Sequence, residues 1–310
     1  MCAAGILLVV GRALITRGRI FAIFAFILLG IPSLISMGLF PYMGAFKPLV
    51  IYLQLAASLH LFFLSSPRLR SVPYRALVSV PGSFFVAGSF LALPWGLVAA
   101  FGFEPYGFIL PYAIGAFGVY QSLTRREERV PLVLDGEDVG PIKRLKRREG
   151  LEGAPLRLLQ ITDPPLGPFM SVAQLKGVAQ RAVDANPDLI LLTGDFLTME
   201  SSATPGALAE ALAPLKAVSG KTFACLGNHD HEAPEEVRRG LAVNGIQLLV
   251  DDAVVVETAQ GKVQIVGADF VYRDRSAHLQ ALCAAHPRVA DTLRLVLLHD
   301  PWAFGELPEG

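Results

Sequence analysis

Only 8 of the first 122 residues are charged, against 46 of the remaining 188. That partition limits what the chain can fold into more than any motif does. A water-soluble helix needs a polar face opposite its apolar one, and the front of this chain has almost nothing to build one from. Four stretches, about 20–40, 48–65, 76–101 and 106–123, contain no Asp, Glu, Lys or Arg. A helix crosses the hydrocarbon core with ~20 apolar residues, range ~17–25. Pro32, Pro81, Pro94 and Pro111 lie inside these stretches, which membrane helices tolerate better than soluble ones. The expectation is an all-α transmembrane bundle of four helices within residues 1–123.

Met1–Val10 is apolar but too short to span. Arg17 and Arg19 precede the first long run, as they would in a signal peptide. That run is long for such a segment and three more follow, so it reads as a retained helix. Orientation follows the Lys/Arg bias of short loops. Arg12, Arg17 and Arg19 precede the first run, and Arg68, Arg70 and Arg75 lie between the second and third. Arg125, Arg126 and Arg129 follow the fourth, whereas Lys47 is the sole basic residue between the first and second. A multi-pass inner-membrane protein with both termini and the rear domain in the cytoplasm is expected.

The net charge of zero hides a split, +6 over residues 1–122 and −6 over the rest. The ordinary basic content gives no reason to expect nucleic acid as a partner, and the apolar content excludes a disordered chain. Cys2, Cys225 and Cys283 are scattered without a paired spacing, so neither a disulfide framework nor a cysteine zinc site is indicated.

Residues 124–154 read as a charged linker. From Leu156 short apolar runs alternate with amphipathic stretches. Strands are expected at 156–162, 189–193, 221–226 and 293–298, with a hairpin of 253–258 and 263–266 around Gln260-Gly261. Helices are expected at 172–186, 205–218, 234–244 and 276–285. Such alternation predicts an α/β domain over 155–310, built on largely parallel sheets flanked by helices.

In sheets of this kind ligands collect beyond the carboxyl ends of the strands. Four expected strands run into potential metal ligands there: Asp163; Gly194-Asp195; Gly227-Asn228-His229-Asp230; and His299-Asp300. The mixture of carboxylate, amide oxygen and imidazole suits zinc, manganese or iron better than calcium. Two ions ~3.5–4 Å apart can clamp a phosphoryl oxygen and activate water. His231, His278 and His286 read as surface residues and Asp269 as a turn residue.

The order Asp163, Thr193-Gly194-Asp195, Gly227-Asn228-His229-Asp230 and Leu297-Leu298-His299-Asp300-Pro301 resembles the calcineurin-like metallophosphoesterases, in particular their membrane-anchored bacterial branch. The resemblance covers about residues 155–310. It implies a two-sheet sandwich flanked by helices and two divalent ions, with manganese, iron or zinc as candidates. It also implies that Asp163 binds the first ion, Asp195 bridges both, and Asn228 and His299 bind the second. His229 would orient or protonate the leaving group, and Asp230 would hold His229. The substrate would be a phosphorylated small molecule or lipid headgroup at a membrane.

Two departures bear on activity. The family's first motif is Asp-x-His, but here the run is Asp163-Pro164-Pro165, and proline has no lone pair to donate. The family's closing Gly-His-x-His is absent from these 310 residues. The first ion then keeps only Asp163 and Asp195, so one ion or none is a possible loading. Two functions follow: a membrane-anchored phosphoesterase, impaired by these losses, or a catalytically degenerate module that binds metal or phosphate. The chain would be a fragment of an active enzyme or a degenerate gene product.

Overall fold

The computed structural model describes residues 2–124, 127–130, 132–133, 143–144 and 154–308. The linker expected over 124–154 lies largely outside them. Its regular structure among the described residues is a short antiparallel ladder of β1 (Leu132–Val133) and β2 (Lys143–Arg144). The chain divides into two compact units. One comprises residues 1–125 with 167–171 and 199–204; the other comprises 126–166, 172–198 and 205–310.

The first unit is helical: α1 (Cys2–Arg17), α2 (Arg19–Leu39), α3 (Lys47–Leu64), α4 (Val72–Tyr74), α5 (Val80–Leu91), α6 (Leu93–Ala100) and α7 (Leu110–Leu123). Ala13, Leu29, Leu39, Leu61 and Phe85 share its interior. Ile15, Ile20 and Phe101 are nevertheless 76–87% exposed. Apolar residues both inside and outside suit a hydrocarbon surround. Close approach is made by small residues, as membrane helices prefer: a Cβ on Gly82 would stand 2.9 Å from Ala57 Cα. Arg12 ties helix ends together by donating to Ser65 Oγ and Ser66 Oγ, both at 2.8 Å. Arg70 donates to the Phe63 and Ser66 carbonyls at the end of α3, where the Phe63 carbonyl also accepts from the Ser66 amide.

The helices depart from the expected four spans. α1 is continuous over 16 residues, longer than the apolar end alone suggested. The third run opens in a π-helical turn, Arg75–Ser79, and its α-helical part is broken at Ala92, where Pro94 has no N–H to continue the ladder. The fourth run becomes helical only at Leu110, after turns at Gly102 (φ 82°) and Gly107 (φ 77°). Its 14 residues rise ~21 Å at ~1.5 Å each, less than a ~30 Å hydrocarbon core. Two helical runs among the described residues are long and apolar enough to cross a membrane. They are Arg19–Leu64, which kinks at Gly44, and Val72–Leu91.

The second unit is α/β. Its first sheet joins β3 (Leu158–Ile161), β4 (Leu189–Thr193), β5 (Thr222–Cys225) and β6 (Gln247–Leu248), all parallel in that order. Its second joins β7 (Asp252–Thr258), β8 (Gly261–Gly267) and β9 (Thr292–Leu297), with β7–β8 antiparallel and β8–β9 parallel. Leu189, Leu191, Phe223 and Cys225 pack in one core with Val263, Ile265 and Leu297, so the sheets stack face to face. All five β4 residues are buried, as a strand covered on both faces requires. Helices α8 (Val172–Asp184), α9 (Ala207–Leu212) and α10 (Pro234–Val243) pack beside one another. Their buried faces carry Leu175, Leu208, Leu212, Val237 and Leu241. Helix α11 (Arg275–Ala285) adds Leu279 and Leu282 to a cluster with Val266 of β8.

Most elements of this unit fall within two residues of their expected ends. One helix does not: the run expected over 205–218 becomes α9 followed by a 3-10 segment Ala213–Val218. Pro214 near the start of that segment removes the donor that α-helical continuation needs. The two-residue β6 had no counterpart in the sequence reading.

Candidate metal centre

Strands β3, β4 and β5 are parallel neighbours, so their carboxyl ends lie along one edge. Asp163 follows β3 by two residues, Gly194-Asp195 follows β4, and Gly227 to Asp230 follows β5. His299 comes from the end of β9 in the other sheet. Asp163, Asp195 and His299 each offer one ligand atom, and these atoms lie within 4.8 Å of one another. Ligands at ~2.0–2.2 Å from a common ion fall within such a separation. Two carboxylates and an imidazole suit a borderline divalent ion, so this donor set fits a metal.

The backbone is bent to reach this arrangement. Asp163 (φ 45°) and Asp195 (φ 55°) both take the left-handed conformation, which is uncommon for residues other than glycine. Gly194, at φ 78°, precedes Asp195 and lies against Gly227: a Cβ on Gly194 would stand 2.7 Å from Gly227 Cα. Two strand-end loops therefore touch backbone to backbone.

Asp195 is 8% exposed. Its Oδ1 accepts from the His229 amide at 2.9 Å, and its Oδ2 lies 3.5 Å from His299 Nε2. The His299 Nδ1 nitrogen sits 2.8 Å from the Thr193 carbonyl. A carbonyl only accepts, so Nδ1 carries the hydrogen and Nε2 is left to bind. Thr162 Oγ1 donates to Asp163 Oδ2 at 2.7 Å.

Asp230 does not take the part expected of it. It is fully buried, and its carboxylate accepts from the amides of Asp195 (2.8 Å), Phe196 (2.8 Å) and Gly227 (2.9 Å). Both oxygens are engaged, so Asp230 staples the β4 and β5 loops together and does not hold the His229 ring. Burial pushes its carboxyl up to about 6, with the three amides pulling it back. The ring of His229 meets Glu232 instead, Nδ1 to Oε1 at 2.8 Å. The sequence reading missed Glu232; the available signal was an acid three residues after His229. Asn228 is half-buried at the start of the same turn. His231 is exposed and pairs with Asp269 at 3.0 Å.

Burial raises the Asp195 carboxyl, but His299 and the His229 amide outweigh it and hold the group below the usual carboxylate range. His299 moves the other way. The Asp195 carboxylate pushes it up to about 9, against the effect of burial. A raised imidazole stabilises the fold fully below its unfolded value of ~6.5. That contribution is lost as pH rises through about 9. An imidazole must be neutral to bind an ion, so ion binding between those values expels the proton. Calorimetry of manganese binding at pH 8, in buffers of different ionisation enthalpy, should report about one proton released per ion. No release would contradict this assignment of His299.

Residues 156–302 match the family model described as calcineurin-like phosphoesterase. The chain is 30% identical over 153 residues to phosphodiesterase YaeI of Escherichia coli, covering 48% of this chain and 54% of YaeI. It is 41% identical over 76 residues to UDP-2,3-diacylglucosamine pyrophosphatase LpxG of Chlamydia trachomatis, covering 24% of this chain and 23% of LpxG. A transmembrane protein with metallophosphoesterase domain from Danio rerio is 35% identical over 101 residues, covering 33% of this chain and 21% of that protein. The chain thus spans about half the length of YaeI and less of the other two. It carries a calcineurin-like metallophosphoesterase domain, preceded by helices of which two runs could cross a membrane.

Proposed function

We propose that this chain is a membrane-anchored, metal-dependent phosphoesterase acting on a phosphodiester or pyrophosphate, with a lipid-linked phosphate as the favoured substrate. The observation that carries the reading is the meeting of Asp163, Asp195 and His299 at the strand ends of the matched domain. The substrate class is suggested by the names of YaeI and LpxG together with the apolar front of the chain. Asp163, Asp195, Asn228 and His299 hold at least one divalent ion, and a second is what the family resemblance implies. A divalent ion there supplies Lewis-acid charge to the phosphoryl group and lowers the pKa of water. The residues of the chain do the rest. The Thr193 carbonyl fixes the His299 ring, the His229 amide fixes the Asp195 carboxylate, and the His229 ring gives a proton to the departing oxygen.

The Lys/Arg pattern supports a cytoplasmic placement of both termini and of the phosphoesterase domain. A periplasmically active reporter fused after Pro308 that gives signal would reverse it. Pro165, standing where the family has a histidine, favours a second reading, a binding module that keeps metal or phosphate without turnover.

The test is hydrolysis by the full chain of bis-p-nitrophenyl phosphate and of a nucleoside-diphosphate lipid, with added manganese. Turnover of the lipid at higher kcat/KM than the soluble ester is expected. Tight binding of either compound with no product would favour the module.

A further inference from the structure

The turn after β5 distributes its four side chains unevenly. Asp230 points into the backbone and spends both oxygens on amides. His231 turns to Asp269. His229 and Glu232 begin and end the 3-10 helix His229–Glu232 and meet each other at 2.8 Å. This meeting follows from the helix type. At 3.0 residues per turn, side chains i and i+3 eclipse, so the acid three residues on stands over the imidazole. The backbone of His229 is already fixed, because its amide donates to Asp195 Oδ1. What remains free is rotation of the ring, and Glu232 removes it.

We propose that Glu232 is the positioning residue for His229. Its carboxylate accepts the hydrogen of Nδ1, so the ring is held in one tautomer with Nε2 as the nitrogen available to a ligand. This rests on the reading of His229 as the donor to the leaving oxygen. In the proton-transfer step a water oxygen bonds to phosphorus as the bond from phosphorus to the leaving oxygen breaks. The ring enters this step protonated on both nitrogens; its Nε2 proton passes to that oxygen, and the ring is left neutral with its hydrogen on Nδ1 facing Glu232. A short local turn thereby supplies a carboxylate partner that the buried Asp230 cannot.

Glu232 also stands two residues before α10, and a carboxylate near a helix start can simply favour its dipole. Glutamine separates the two roles. Its side-chain oxygen still accepts from Nδ1, but its negative charge is gone. The experiment uses the full chain with 15N-labelled histidine, the His229 signals being assigned by their loss in His229→Gln.

Wild type and Glu232→Gln should both have Nδ1 protonated, and Glu232→Ala should lose that preference. A neutral wild-type ring with its hydrogen on Nε2 and none on Nδ1 would overturn the proposal, whether or not the chain hydrolyses anything. So would an unchanged tautomer in Glu232→Ala. The kinetic arm compares phenyl and p-nitrophenyl phosphodiesters. Glu232→Ala should lower kcat for the phenyl ester by about tenfold or more. It should leave the p-nitrophenyl ester, whose leaving group needs little protonation, within about twofold. Glu232→Gln should restore much of the phenyl rate. Equal losses on both esters, or equal losses in both variants, would make Glu232 a structural residue. If the wild type turns over neither ester, the function proposed above fails, and the tautomer measurement still decides the role of Glu232.

Discussion

A Gly227→Ala chain is expected to lose its metal centre and to unfold at markedly lower denaturant or temperature than the wild type. A Cβ at this position would stand 2.5 Å from Asp195 N and 2.9 Å from Asp195 Cγ, with Oδ1 inside contact distance as well. None of those atoms can move freely. The amide of Asp195 is bonded to Asp230, and its Oδ1 is bonded to the amide of His229. Overpacking of a tight core usually costs about 1–3 kcal/mol. The upper end or beyond is expected here, because backbone rather than a flexible side chain would have to shift. Against a domain stability of about 5–15 kcal/mol, that leaves a weakened fold with the Asp195 carboxylate displaced. Thermal unfolding with and without manganese checks it. A stability within about 0.5 kcal/mol of wild type, with metal affinity intact, would mean the two loops are not in backbone contact.

Asp230→Asn should damage the fold comparably, by another route. The aspartate satisfies three buried amides with two oxygens. The asparagine has one oxygen left to accept, and its NH2 group would face N–H groups. An orphaned buried donor costs about 1–3 kcal/mol. With a staple between two loops lost as well, we expect about 3 kcal/mol or more and a lower affinity for metal. Asp230→Ala should be no milder. If Asp230 instead only oriented the His229 ring, both variants would keep their stability and lose turnover alone. Denaturant unfolding of the metal-free chain, read beside metal affinity, separates these cases.

How much of this was legible in the sequence depended on the kind of signal. Buried parallel strands read as unbroken apolar runs, so 189–193 was found at its limits, and the ligands at strand ends could be named before any contact was known. The helical front is the opposite case. Where every face is apolar no periodicity marks where a helix stops, so the break at Ala92 and the late start at Leu110 did not register. Pro94 and Pro214 were visible, but their effect depends on whether the chain around them supplies another partner. Asp230 was misread because its partners are backbone amides, two of them more than thirty residues away, and amides leave no signature in sequence. Glu232 was missed because the spacing that matters, i to i+3, is meaningful only once the turn is known to be 3-10. For Asp230 the carboxylate was seen and its geometry was not.

The central claim is that Asp163, Asp195 and His299 form a metal centre that does hydrolytic work. Its most direct test is the metal content of the purified full chain, by elemental analysis after manganese loading, with phosphodiester hydrolysis read on the same sample and Asp195→Asn alongside. At least one ion per chain is predicted, with turnover, and Asp195→Asn should lose both. A chain that binds no ion, or an Asp195→Asn variant that keeps its ion and its turnover, would contradict the account.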